Sequence, residues 1–277
     1  MSATTTTRPR AAEAEARPAD LVRQIAVISA VVFMLISAVV GVGVLGGTPV
    51  EDVQGGSLDS DASYLAPASQ AFSIWSVIYV LMTAYAIWQA LPSQRADARQ
   101  RLLGWWIALT AVLNGLWLVA AQFATLPLTV LVIVLLLIAL AWTFRLAVSM
   151  PPRGVRQALF TDITVGLHLG WVALATVANT AAWLTTIAPA EWEQAAEPVG
   201  IAVLIVVAII GAGIAIASRG RIAPGLAMGW GLTWIGIGRF ADEPVSDPIA
   251  FAAWAAAAVV VLTPIVVTAV HFSRNRA

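Results

Sequence analysis

Three short stretches hold most of the side chains that could bind or react in this otherwise apolar chain. In "FSIWSVIYVLM", Phe72, Trp75, Tyr79 and Met82 recur at i, i+3, i+7 and i+10, which puts all four on one face of a helix. In "LNGLW", Asn114 precedes Trp117 by one turn. In "LHLGWVALATVANTAAW", Trp171, Ala175 and Asn179 follow at i, i+4 and i+8, with His168 one turn earlier and Trp183 one turn later. Flat aromatic walls with an occasional amide suit a pocket that stacks on a planar, hydrophobic molecule. Each stretch also has a plainer reading. Aromatic stripes pack helices or gather at the membrane surface, and an intramembrane amide often serves as a helix–helix hydrogen bond of roughly 0.6–2 kcal/mol.

Other chemistry finds little support. The chain has no cysteine and two histidines, so neither a disulfide nor a structural zinc site is expected. There is no glycine-rich phosphate loop, no Ser/His/Asp set and no pair of intramembrane carboxylates, so no catalytic and no metal-binding residues are assigned. His168 has two readings, a haem-iron ligand or a hydrogen-bonded packing residue. Asp162 is expected to snorkel or pair near Arg156.

These side chains must be positioned inside a membrane. Of 277 residues, 60% are hydrophobic and 11% charged, with a mean hydropathy of +0.87, more apolar surface than a soluble domain of this length can hide. Eight stretches approach the roughly 20 apolar residues that span a bilayer core: 24–46, 70–91, 102–122, 127–148, 158–188, 199–218, 223–239 and 249–271. The seventh, short and glycine-rich, has a re-entrant segment as its competing reading. All fifteen basic residues are arginine, and eight crossings put every one except Arg239 on one side. The positive-inside rule then places both termini in the cytoplasm. Residues 47–67 form an acidic external loop that reads either as a lid or binding segment or as plain disorder. The zero net charge points to no nucleic-acid partner.

The chain resembles the tryptophan-rich sensory protein / translocator protein family (TspO/MBR). Pro67 followed by Trp75-Ser76-Val77-Ile78-Tyr79 and Met82 matches the family's second-helix pattern, and Leu113-Asn114-Gly115-Leu116-Trp117 matches its third. Trp171, Leu174-Ala175, Asn179 and Trp183 match its fifth, so the resemblance covers residues 24–188. Departures include Leu167-His168 in place of a Pro-Tyr pair, Thr83 in place of a glycine, and a first loop without the family's W-Y and K-P elements.

The resemblance implies an all-α integral membrane protein: a TspO-like five-helix bundle plus three additional transmembrane helices, eight in total. The expected division is a disordered cytoplasmic tail (1–22), the bundle (23–188), and a three-helix extension with a short tail (189–277). Similarity to longer bacterial relatives implies a multi-pass protein of a bacterial inner or cell membrane. By family likeness the implied function is binding or sensing of a planar hydrophobic ligand, a tetrapyrrole such as a porphyrin or haem, or a sterol-like molecule, with no cofactor required. The implied ligand-binding residues are Phe72, Trp75, Tyr79, Asn114, Trp117, His168, Trp171 and Ala175, with Asn179 left to helix packing. A transporter of a small lipophilic solute is the alternative. A porphyrin-modifying enzyme rests on the resemblance alone. The partners implied are the lipid bilayer, the hydrophobic ligand and a second copy of the chain in a homodimer.

Overall fold

The computed structural model describes residues 15–44, 48–49 and 53–274. The expected tail over residues 1–14 therefore lies outside the described residues. Eight helices carry the fold: α1 (Pro18–Gly41), α2 (Ile74–Ala90), α3 (Ala98–Phe123), α4 (Leu126–Ser149), α5 (Thr164–Ile187), α6 (Ala196–Ala217), α7 (Ala223–Ala241) and α8 (Asp247–Arg274). α1 starts at Pro18, so residues 18–22 are helix and not tail. A 3-10 turn (Ser69–Ser73) leads into α2, and a π turn (Ala158–Ile163) leads into α5.

Local sequence explains several of these boundaries. Pro18, Pro127 and Pro224 stand in the first turns of α1, α4 and α7, where a missing N–H costs nothing. Asp97 caps α3 by accepting the Gln100 N–H at 2.9 Å.

Among the described residues, seven helical segments are long and apolar enough to cross a membrane, and α7 is the one left out. The expected count of eight therefore stands at seven by length and composition. α7 has 19 residues, about 28 Å of helix, and carries five glycines and Arg239. It lies against α5 on one flank and α8 on the other, with most of its residues buried, so protein takes the place of lipid around it. That accounts for its modest apolarity.

Two ends of the molecule are defined by hydrogen bonds. At the arginine-rich end, Arg23 donates to the carbonyls of Gln94 and Arg95, and Arg101 pairs with Asp20 at 2.6 Å. There too Arg99 donates to the Met150 carbonyl, and Thr268 to that of Gly220. At the opposite end Gln54 donates to the Ala121 carbonyl, and the Ser246 hydroxyl to Glu197. α7 begins beside Arg221 at the first end and reaches the loop after α1 at the second.

α1 packs on α2 and α3, α3 on α4, α4 on α5, and α5 back on α2, which closes a five-helix ring. Its core joins Met34, Ile78, Tyr85, Ile107, Leu136 and Trp171. α7 packs on the outside of α5, α8 on α7, and α6 on α8. Gly166 and Gly170 of α5 make the first of these contacts, because a Cβ at Gly170 would overlap the Pro224 carbonyl of α7. Gly225, Gly229 and Gly236 of α7 are filled in the same way by α8 side chains and backbone.

Asp162 does not pair with Arg156. Its Oδ1 accepts from Arg99 Nη2 at 2.8 Å and from Arg221 Nη1, which brings α3, the π turn and the loop before α7 together. Arg99 and Arg221 also donate to the Ala147 carbonyl, so the cluster caps α4 as well. Arg156 has a nearby position in sequence but no reach inward. The carboxylate points into the bundle, where the two deeper guanidiniums stand.

Candidate functional site

Trp75 is the centre of an aromatic cluster inside the ring. Its indole stacks on Tyr79 (centroids 5.3 Å apart) and on Trp117 (5.9 Å). It also makes edge contacts with His168 and Trp171, both at 6.0 Å. Phe72 completes the set, edge-on to Trp171 at 5.9 Å. The one-face spacing of Phe72, Trp75 and Tyr79 on α2 thus faces α3 and α5, with Met82 buried one turn beyond Tyr79.

Amides tie the cluster together. Tyr79 donates its hydroxyl to Asn114 Oδ1 at 3.4 Å, and Asn114 Nδ2 lies 3.3 Å from His168 Nε2. With Asn114 as the donor, His168 carries its proton on Nδ1, an N–H with no partner among the described residues. Asn179 accepts from Trp117 Nε1 at 3.2 Å and returns its own N–H to the Ala175 carbonyl. Every buried amide of the three stretches is therefore used between or along helices, as hydrocarbon surroundings demand.

A cavity of about 30 Å³ lies beside these rings at the end opposite the arginines. Phe72, Trp75, Trp117, Trp171, Ala175 and Asn179 face it from α5, α3 and the α2 entry. Tyr79, Asn114 and His168 do not line it and stand behind Trp75, deeper in the bundle. Of the eight candidates, five therefore meet at the cavity and three support the ring that does. Asn179, assigned to packing, does both. The Trp171 Nε1–H is buried with no acceptor among the described residues.

The loop after α1 covers this cavity. Ser57, Leu58, Asp59, Ala62 and Ala66 line its outer side. Gln54 pins one end of the loop through the Ala121 carbonyl (3.0 Å) and Thr129. The other end is pinned from α7, where the Trp234 carbonyl accepts Ala68 N–H and the Trp230 indole donates to the Ala71 carbonyl. Arg239 is the site residue that the sequence patterns missed. Fully buried, it donates to the Ser60 carbonyl at 2.7 Å and the Ser63 carbonyl at 3.2 Å. The available signal was its standing as the single arginine on the acidic side.

α7 also shapes the pocket from behind. A Cβ at Gly231 would overlap Leu174 and crowd the Trp171 ring, so this glycine lets the cavity wall sit where it does. Asp59 is the only charged residue among those lining the cavity.

An all-helical, multi-pass bundle with a loop-covered aromatic cavity defines a membrane-embedded binding or transport protein. The family described as TSPO-like protein matches residues 23–266, and the chain belongs to it. That match runs beyond Ile187 through α6, α7 and most of α8, so the extension is part of the family pattern along with the five-helix ring. No curated protein and no solved structure matches the chain.

Proposed function

We propose that the protein binds a planar hydrophobic ligand of the tetrapyrrole class between α2, α3 and α5, and acts as a membrane-embedded binding protein or sensor. The observation that carries this reading is the orphaned Trp171 N–H beside stacked indole faces at one cavity. A buried donor without an acceptor is costly, and a ligand atom that accepts it recovers that cost. Stacking rings provide the rest of the affinity, since aromatic contacts contribute about 0.5–1.5 kcal/mol beyond the area they bury.

The cavity as it stands has room for about one water, against several hundred Å³ for a drug-sized site. Binding therefore requires the loop to lift and the Trp75–Trp117 stack to part. The described conformation is the closed one. The lining also bears on the ligand's polar edge. With Asp59 at the loop and no cation among the residues lining the cavity, a free porphyrin dicarboxylate meets repulsion there, and a neutral edge does not.

Titration of the protein in nanodiscs with protoporphyrin IX and its dimethyl ester, followed by tryptophan quenching, tests the reading. Saturable binding is expected, weakened about tenfold or more in Trp75→Leu. Asp59→Asn is expected to tighten the diacid several-fold and leave the dimethyl ester unchanged. Quenching that does not saturate, or that is the same in Trp75→Leu, contradicts the proposal.

A further inference from the structure

The loop over the cavity is also the wall of a second, larger hollow. Ser63, Tyr64 and Leu65 turn away from the ring cavity and line a groove of about 560 Å³ between α5 and α6. Leu58, Asp59, Ala62 and Ala66 face the cavity itself, so the wall between the two spaces is a single thickness of chain. The two spaces also share α5. Ala175, Ala178 and Ala182 face the cavity, whereas Thr176, Thr180 and Leu184 face the groove.

The groove is apolar. Its threonine hydroxyls are spent on their own helix, Thr176 on the Val172 carbonyl and Thr180 on that of Thr176. No charged residue is among those lining it. Its rim residues Leu184, Trp192 and Val199 are exposed, which sets its mouth on the lipid-facing surface. Its volume falls in the range that holds a drug-sized molecule.

Arg239 straddles the wall. Its guanidinium grips the Ser60 and Ser63 carbonyls on either side of Asp61 and Ala62, and donates to the Pro244 carbonyl too. No carboxylate forms an ion pair with it among the described residues. Its direct hydrogen bonds all go to carbonyls, two of them in the wall, so the residue's grip and the position of the wall are coupled.

We propose that the α5–α6 groove is a binding site for the hydrophobic ligand on its way from the bilayer, and that Arg239 holds shut the wall between this entry site and the ring cavity. The proposal rests on the ligand reading given above. It gives the extension a role, in which α6 forms the far side of the entrance and α7 supplies the latch. A molecule with low water solubility reaches the groove by moving within the membrane, and release of Ser60 and Ser63 opens the short remaining step past Ala62. The exposed, acidic side of the loop, where Asp61 stands, is bypassed.

Because the natural chain has no cysteine, Ala62→Cys supplies a single reporter on the cavity side of the wall. Its reaction with a membrane-permeant maleimide, in full-length protein in nanodiscs, reads wall opening with no ligand present. Adding Arg239→Gln is expected to raise the labelling rate at least tenfold. Arg239→Lys, which keeps the charge and loses the two-pronged grip, is expected to fall between. It also serves as the readout if the glutamine variant does not fold.

Stopped-flow mixing with protoporphyrin dimethyl ester in vesicles reads the route. Val199→Trp, which fills the groove mouth, is expected to slow association and dissociation by the same factor, about fivefold or more, and to leave Kd unchanged. Unchanged labelling in both Arg239 variants overturns the latch, and unchanged rates in Val199→Trp overturn the entry site. Absence of any porphyrin binding refutes the ligand reading and with it the entry site, while the labelling rates still decide the latch.

Discussion

Asp162→Asn is expected to destabilise the protein by about 3–5 kcal/mol, the range seen when one partner of a buried charge pair is removed. The carboxylate is shared by Arg99, which is 3% exposed, and by Arg221, which is 21% exposed. An amide keeps one acceptor oxygen but no charge, and leaves two guanidiniums facing each other at the end of α4. The three elements that meet there are far apart in sequence. Arg99 is 63 residues from Asp162, and Arg221 is 59 on the other side. Loss of the carboxylate therefore loosens α3, α5 and the start of α7 together. Denaturant unfolding in detergent micelles, with Arg156→Gln as the comparison, measures the difference. A loss in Asp162→Asn no larger than that in Arg156→Gln contradicts the account.

Gly170→Leu is expected to have the second large effect, and through backbone geometry alone. Any Cβ at this position meets the main-chain carbonyl of Pro224, which has no rotamer to move to. Either α5 or α7 must shift away, and the glycine at 166 brings the same two helices together one turn earlier. Overpacking of this kind typically costs about 1–3 kcal/mol when side chains can yield, and more when backbone must. The consequence reaches the far end of the molecule, because α7 carries Arg239, Trp234 and Trp230 to the loop. Faster protease cleavage within residues 57–66 of Gly170→Leu, together with a lowered unfolding midpoint, is the expected result. Gly213→Leu makes a suitable control, since a Cβ there meets nothing within 4 Å.

Much of the ring cluster was legible in the sequence. Trp75, Asn114 and Trp171 stand out because tryptophan faces and amides are expensive or unnecessary in lipid and so turn towards neighbouring helices. Helix periodicity then places them on inward faces, and their order along the chain matches one family. The starts of α1 and α3 were read late, at 24 and 102, because hydropathy passes over the polar first turns that begin at Pro18 and behind the Asp97 cap.

What was not legible depends on tertiary partners. The pairing of Asp162 looked local, with Arg156 six residues away, yet its partners lie about sixty residues off in both directions. Arg239 appeared as the exception to an otherwise one-sided arginine distribution, and nothing local says that loop carbonyls receive it. The glycines of α7 announced close packing, but not that Gly231 makes space for Trp171 and Leu174. The same glycines lower the apolarity of α7, so the helix that organises the loop is the one that composition singles out least as a membrane span. Cavity size was also beyond the sequence. Five of the eight candidate side chains reach the cavity, Tyr79 and His168 act on it through Trp75, and Asn114 holds those two.

We propose a planar ligand among α2, α3 and α5 beneath the loop. The most direct test of that placement is photocrosslinking of a diazirine-bearing porphyrin dimethyl ester to the protein in nanodiscs, with adducts mapped by mass spectrometry. Adducts are expected on the peptides that carry Trp75, Trp117 and Trp171, competed away by unlabelled porphyrin. Adducts confined to lipid-facing positions such as Trp105 and Trp142, which are 47% and 43% exposed, with none at the three inner tryptophans, would contradict it.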